Sequence, residues 1–345
     1  MPTLTDTALT AAYFLQEDKW KDAARKSEYM AEVNAALALI ENTTADIKDI
    51  SDSGKKRKVK IYWNKFTAAA AGTSEPDFCT ITGTEADSDS QEYEIDTHVT
   101  GKFTLDEAQY EDNILNPSEV FADNMLKVLK TNDEKVAATL VSKLDSFTSP
   151  NLYTTTGIGC PGVVSPESWA TTWIPAHLWT PELMHYFLNV KRINKFANPF
   201  LLDGKNLNAQ LWQSMMNAAN ANGAGAAAMI KTIKYYEDLV NVEAVSPSKT
   251  FMVDRGSVAF VSRSRWTGAS QTAPIIESEI GRKKYSIPSK NIPGMNYDVY
   301  ITTECSGPFK KHNVLVHGMY GLYNGPAATN GSTGVIEFKC GACPS

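Results

Sequence analysis

The segment Asn116-Pro117-Ser118-Glu119 opens the longest regular pattern in the chain, and it narrows the possible folds more than any other feature. Asparagine at a helix cap accepts from unpaired backbone N–H groups. Proline at the first helical position loses nothing, because its missing N–H would have no helical partner there. Behind this start Val120, Phe121, Met125, Val128, Leu129, Val136, Leu140, Val141, Leu144 and Phe147 recur at three- and four-residue steps as far as Pro150. The spacing predicts one amphipathic helix over 117–148. At about 1.5 Å per residue it spans about 48 Å. Asn132-Asp133 falls within it and predicts a kink.

What precedes this helix is its opposite in character. Residues 59–66 (VKIYWNKF) are β-branched and aromatic and predict a strand. A soft stretch from Thr67 to Pro76 and a short strand, Phe78 to Thr82, lead to the acids Glu85, Asp87, Asp89, Glu92, Glu94 and Asp96. Within and beyond them Tyr93, Ile95, Thr97 and Val99 alternate with polar residues towards Phe103, which predicts a long half-exposed strand with these four on one face. Residues 56–105 thus form an extended two-stranded excursion with too little apolar content for a core of its own. An isolated hairpin is marginal in water, so this one is expected to lie on something else. The basic run Lys55, Lys56, Arg57, Lys58 and Lys60 opens it. The run reads as a solvated face, the commonest fate of such a run, or as a contact for nucleic acid or an acidic neighbour. Of the contacts, pairing with the acids, within or between copies, is favoured because it relieves the repulsion inside each cluster.

The remaining segments predict helices at 7–18 and 21–42, then a loop-like stretch at 151–180. An α/β alternation follows: helix 181–195, strand 198–202, helix 205–221, and strands at 239–245 and 251–253. Residues 257–262 are ambiguous between strand and helix. The last third is mostly β, clearest at 297–303, 314–323 and 334–338. The fold class is α+β.

Composition removes several functions. At 345 residues and 43% hydrophobic the chain can bury a sizeable core, and its net charge of -6 argues against wholesale nucleic-acid binding. Met1-Pro2-Thr3-Leu4-Thr5-Asp6 has neither a basic nor an apolar secretory region, and no apolar stretch is long enough to span a bilayer, so a cytosolic setting with reduced thiols is expected. Gly157-Ile158-Gly159-Cys160-Pro161-Gly162 matches a dinucleotide-binding spacing but lacks the strand before and the helix after that the chemistry needs. Cys340 and Cys343 have metal-ligand spacing without a second ligand pair, and His312 and His317, five apart, would point to opposite faces of one strand. Nothing around His98, His177 or His185 suggests a base. No catalytic residue, cofactor or metal ligand is assigned, and the chain is not expected to be an enzyme.

The element order resembles Hong Kong 97-type major capsid proteins of tailed phages over nearly the whole chain. The resemblance implies an N-terminal arm at 1–54, an extended β-hairpin loop at 55–110, a peripheral domain with a spine helix at 111–179, an axial α/β domain at 180–250, and a β-rich return at 251–345. The phrases carrying it are Asp112-Asn113-Ile114-Leu115-Asn116-Pro117 ahead of the helix and Lys249-Thr250-Phe251-Met252-Val253-Asp254-Arg255-Gly256 leaving the axial segment. It further implies a shell of hexamers and pentamers of one chain in a virion, assembled in the host cytoplasm, with double-stranded DNA on the inner face and no membrane. Scaffolding, if used, would be a separate protein, and portal and decoration proteins are potential partners. On this reading Lys55, Lys56, Arg57, Lys58, Tyr93, Ile95, Thr97 and Val99 are expected at contacts between subunits. The alternatives are an encapsulin-type nanocompartment and a two-domain cytosolic enzyme or ligand-binding protein.

Overall fold

In a computed structural model the described residues are 5–42, 46–49, 58–64, 88–109, 116–153, 171–174, 183–207, 233–245, 248–264, 276–306, 309–327 and 331–340. Three short helices come first: α1 (Asp6–Lys21), α2 (Ala23–Tyr29) and α3 (Asn34–Glu41). Thr5 caps α1 by accepting from the Ala8 N–H at 3.2 Å. The expected helix over 21–42 is broken at 30–33, because distant side chains capture the backbone there. Asn291 accepts from the Ala31 N–H at 3.1 Å, and Asn241 donates to the Glu32 carbonyl at 2.7 Å. Asp238 accepts from the Ala35 N–H at 2.8 Å and so caps α3, which Val33 cannot do.

The long helix is α4 (Pro117–Ser146), with Asn116 at the cap accepting from the Ser118 N–H at 3.1 Å. It continues unbroken through Asn132-Asp133, where a kink is expected from the sequence. These two polar residues are instead buried, and Asp133 is the centre of a hydrogen-bond hub. Its carboxylate accepts from Tyr297 Oη at 2.6 Å, Ser289 Oγ at 2.9 Å and Asn291 Nδ2 at 2.9 Å. Three helical segments thereby meet one loop, since Asn291 also holds the Ala31 N–H.

Against α4 lies a six-stranded sheet. Its strands include β4 (Thr97–Asp106) and β9 (Val258–Arg263), introduced in chain order with β1 (Asp46–Asp49), β2 (Lys58–Asn64), β3 (Ser88–Glu94), β5 (Thr171–Ile174), β6 (Phe200–Asp203), β7 (Lys234–Glu237) and β8 (Lys249–Val253). The others are β10 (Glu277–Glu279), β11 (Arg282–Pro288), β12 (Asn296–Ser306) and β13 (Phe309–Asn324), while β14 (Val335–Cys340) belongs elsewhere. The order is β10-β11-β12-β13-β4, with β9 also on β13. β13 is long enough to pair first with β4 and then with β9. The ambiguous segment 257–262 is therefore a strand.

Helix and sheet approach closely at Gly101 of β4. A Cβ there would meet Val128 Cγ1 and come within 3.0 Å of Asn132 Oδ1, both on α4. Gly101→Ala is expected to cost about 1–3 kcal/mol through overpacking, measured as a lowered urea midpoint. An unchanged midpoint would mean that the helix and strand are not in this contact.

The second sheet has five strands in the order β5-β14-β8-β6-β7. Alternate side chains serve two cores. Leu201, Met252 and Ile336 face helix α5 (Leu183–Ile193) with Phe187, Val190 and Phe338. Phe200, Leu202, Phe251, Val253 and Val335 face the main core with α4 and the six-stranded sheet. The strand expected at 239–245 is displaced: the strand is β7, and Asn241–Val245 is a short helix, α6. Asp238 turns the chain between them by accepting from the Asn241 N–H at 2.7 Å. Of the helix expected at 205–221 only 205–207 are described, and they form a bend and turn; the strand at 78–82 and the glycine pattern 157–162 lie outside the described residues.

Candidate assembly surface

The excursion is shorter in the structure than its alternation suggests. β2 pairs with β3 antiparallel, and β1 joins on the other side of β2 as a three-stranded sheet. The chain then changes sheets at Ile95-Asp96, and β4 runs with β13 instead. One run of alternating residues therefore serves two sheets.

The stem of the hairpin sits on the chain's own body. Val59, Ile61 and Ile95 pack with Ala259 of β9 and with Met319 and Tyr323 of β13. Two tyrosines clasp the joint. Tyr93 Oη donates to the Asn324 carbonyl at 2.7 Å, and Tyr323 Oη donates to the Glu94 carbonyl at 2.9 Å, with ring centroids 4.5 Å apart. Gly321 makes this possible, since a Cβ there would meet the Tyr323 hydroxyl lying back over the strand.

This corrects the expected subunit contacts. Tyr93 and Ile95 pack at the stem of the hairpin, and Val99 packs in the main core on a different sheet. Ile95 is 0% exposed and Val99 is buried in the main core beside α4. Neither can touch a neighbour while the subunit stays folded as it is. Tyr93 and Thr97 are partly exposed, Tyr93 bonded as above and Thr97 Oγ1 accepting from Lys143 Nζ. The pattern of alternation does not say which body covers the apolar face, and here it is the chain itself. Of the basic run, Lys58 is exposed and pairs with Glu92 at 3.7 Å, across a register that sets Lys58 opposite Glu94 and Lys60 opposite Glu92. The acid-to-base pairing expected within one excursion is present there. Lys55, Lys56 and Arg57 lie outside the described residues.

The helices at the start of the expected arm are clipped down by charge. Asp6 meets Lys283 at 2.6 Å, Glu17 meets Lys290, and Lys19 stands 3.7 Å from Asp123, which also accepts from Tyr29 Oη. The Lys283 ammonium, hydrogen-bonded to Asp6, holds that carboxyl below the usual carboxylate range. With Leu9, Ala12 and Tyr13 buried, residues 6–42 pack on the chain's own body.

Other polar groups meet in ways the sequence does not announce. His98 Nδ1 lies 3.1 Å from His317 Nε2, brought together by the pairing of β4 with β13. His312, on the opposite face of β13, meets Glu107 Oε1 at 3.1 Å. Lys249 lies between Asp145 at 2.7 Å and Glu337 at 3.1 Å. Burial lifts the Glu337 carboxyl above its ordinary range. Among the described residues no group of three or more His, Cys, Asp and Glu side chains is arranged to hold a metal ion. Cys343 and the Cys340 side chain lie outside them. Among the described residues, too, no helix is long and apolar enough to cross a membrane.

No protein-family model and no curated protein matches the chain. Solved structures similar to it include one titled Mycobacterium phage Adephagia, with 12% identity, 92% of each chain covered and a TM-score of 0.45. The capsid of Cyanophage P-SCSP1u is similar at 8% identity over 84% of this chain and 85% of that one, with a TM-score of 0.44. The capsid of Myoviridae Phage XM1 is similar at 12% identity over 87% and 90%, with a TM-score of 0.39.

Proposed function

We propose that this chain is the major capsid protein of a tailed phage, a structural subunit that assembles into an icosahedral shell around double-stranded DNA. The observation that carries the reading is the order of elements on one chain: a charged hairpin leaving the body, a long helix laid across an antiparallel sheet, a second mixed sheet with its own core, and a β-rich return. The hairpin strands β2 and β3 touch the body through their stem alone among the apolar contacts described. A projecting element of this kind adds little to its own subunit, and a shell of repeated contacts gives it a use. Hexamers and pentamers of the chain, separate scaffolding, portal and decoration proteins, and DNA on the inner face belong to the same proposal. So does assembly in the host cytoplasm.

The test is direct. Expressed with any scaffold it needs, the protein is expected to form closed particles, visible by negative-stain microscopy. A monodisperse monomer under assembly conditions would refute the proposal.

A further inference from the structure

Two exposed apolar patches of opposite charge lie at opposite ends of one strand pair. β6 and β7 run parallel. Leu239 and Val240 follow directly on the end of β7, and they are 54% and 53% exposed. Beside them runs the extended segment between α2 and α3, tied there through the Glu32 carbonyl by Asn241. Met30, 51% exposed, and the exposed Glu32 project outward from it together, while Ala31 and Val33 turn in. This end is acidic. Burial first, and then the Asp238 and Glu237 carboxylates, hold the Glu32 carboxyl above its usual range.

The other end of the strand pair has the opposite charge. Helix α5 finishes just before β6 begins, with Ile193 48% exposed. Leu152, 40% exposed, is held next to it, because its N–H donates to Asn194 Oδ1 at 3.1 Å. Arg192 and Lys195 flank Ile193 and are exposed. Two exposed bases flank the apolar pair here, where the exposed Glu32 flanks the first patch.

One subunit cannot bring its own two patches together, since one follows the end of β7 and the other precedes the start of the parallel β6. Two subunits can. We propose that the Met30–Leu239–Val240 patch of one copy docks on the Leu152–Ile193 patch of the next, with Glu32 facing Arg192 and Lys195, as a head-to-tail contact between copies. A contact of this heterologous kind closes into a ring or continues as a filament, according to its rotation. It gives the proposed shell a lateral contact that does not use the hairpin, and to that extent it deepens the shell reading. Apolar centres supply affinity, and the opposite rims supply orientation and exclude like-with-like pairing.

Charge reversal tests the pairing. Glu32→Lys and Arg192→Glu each set like charges against one another and are expected to lower the associated fraction on the order of ten-fold or more in sedimentation velocity. The variant carrying both reversals restores opposite charges and is expected to associate as the wild type does. Circular dichroism checks that each variant is folded, and the two single variants mixed in equal amounts offer a second form of the rescue. Single variants that associate normally would overturn the inference, as would a double variant and a mixture that both fail. A wild-type chain with no self-association at any concentration would overturn it too. Salt-sensitive association without closed particles would leave this contact standing and remove the shell proposal.

Discussion

Ile95→Asp is expected to destabilise the subunit itself, by about 4 kcal/mol or more. From sequence alone the expectation is different: aspartates in place of Tyr93 and Ile95 should block assembly and leave a folded subunit. The structure reverses this, because Ile95 is fully buried among Val59, Ile61, Ala259, Met319 and Tyr323. A carboxylate there has no described cation among those neighbours, so it either ionises without a partner or takes up a proton, and both outcomes weaken the fold. The joint between β2–β3 and β9–β13 should loosen first. Urea denaturation followed by circular dichroism measures the loss. Lys58→Ala is the contrasting change, expected to stay within about 0.5 kcal/mol because Lys58 is exposed and its pair with Glu92 is a surface one. If Ile95→Asp is as stable as the wild type, the stem does not pack as described.

Asp133→Ala is expected to cost about 3 kcal/mol, since Tyr297, Ser289 and Asn291 all donate to that one carboxylate. Removing it leaves the buried Tyr297 hydroxyl and the half-buried Ser289 and Asn291 donors without this acceptor, and loosens the hold of the Ser289–Asn291 loop on α4 and on the α2–α3 break. Asp133→Asn keeps the shape and isolates the charge. Burial raises the Asp133 carboxyl above 3.8, against the pull of its three donors. A group whose folded pKa is raised takes up its proton at higher pH in the folded state than in the unfolded chain. Protonation in that window favours folding. The wild type should therefore gain stability relative to Asp133→Asn as the pH falls from 7 towards 3.8, and lose that gain as the pH rises again. Parallel urea titrations across this range would settle the sign. A gap between the two proteins that does not change with pH would show that the carboxyl titrates alike folded and unfolded.

Local patterns in this chain carried a good deal of the fold. The Asn116-Pro117 start and the apolar stripe behind it match α4 and its caps, the strands at 297–303 and 314–323 sit inside β12 and β13, and that at 334–338 begins one residue before β14. The α+β order of hairpin, long helix, α/β segment and β-rich return is also present. Helix caps and side-chain periodicity act over a few residues, so they can be read from neighbours in sequence. What failed were the features decided by groups far away. Asn132-Asp133 looks like a weak point of the helix until Tyr297, Ser289 and Asn291 supply partners for Asp133 and the helix continues through it. The helix expected over 21–42 looks continuous until Asp238, Asn241 and Asn291 take its backbone groups. The strand expected at 239–245 gives way to a turn organised by Asp238.

For the candidate assembly surface the division is the same. Alternation reads Tyr93, Ile95, Thr97 and Val99 as one face, and they are the less exposed positions of the run, because side chains of an extended chain have a period of two. It could not say what covers that face. Only tertiary structure decided that β9, β13 and α4 cover it, and that the chain changes sheets at Ile95-Asp96. The exposed patches at Leu239–Val240 and Leu152–Ile193 carry no periodic signal, since each joins segments distant in sequence that meet through side-chain hydrogen bonds. The sequence alone determined which residues are apolar, charged or helix-starting, because those are properties of side chains and their near neighbours. Which apolar faces are left for another molecule was decided only when the chain had spent the others on itself, since burial is a property of the packed whole.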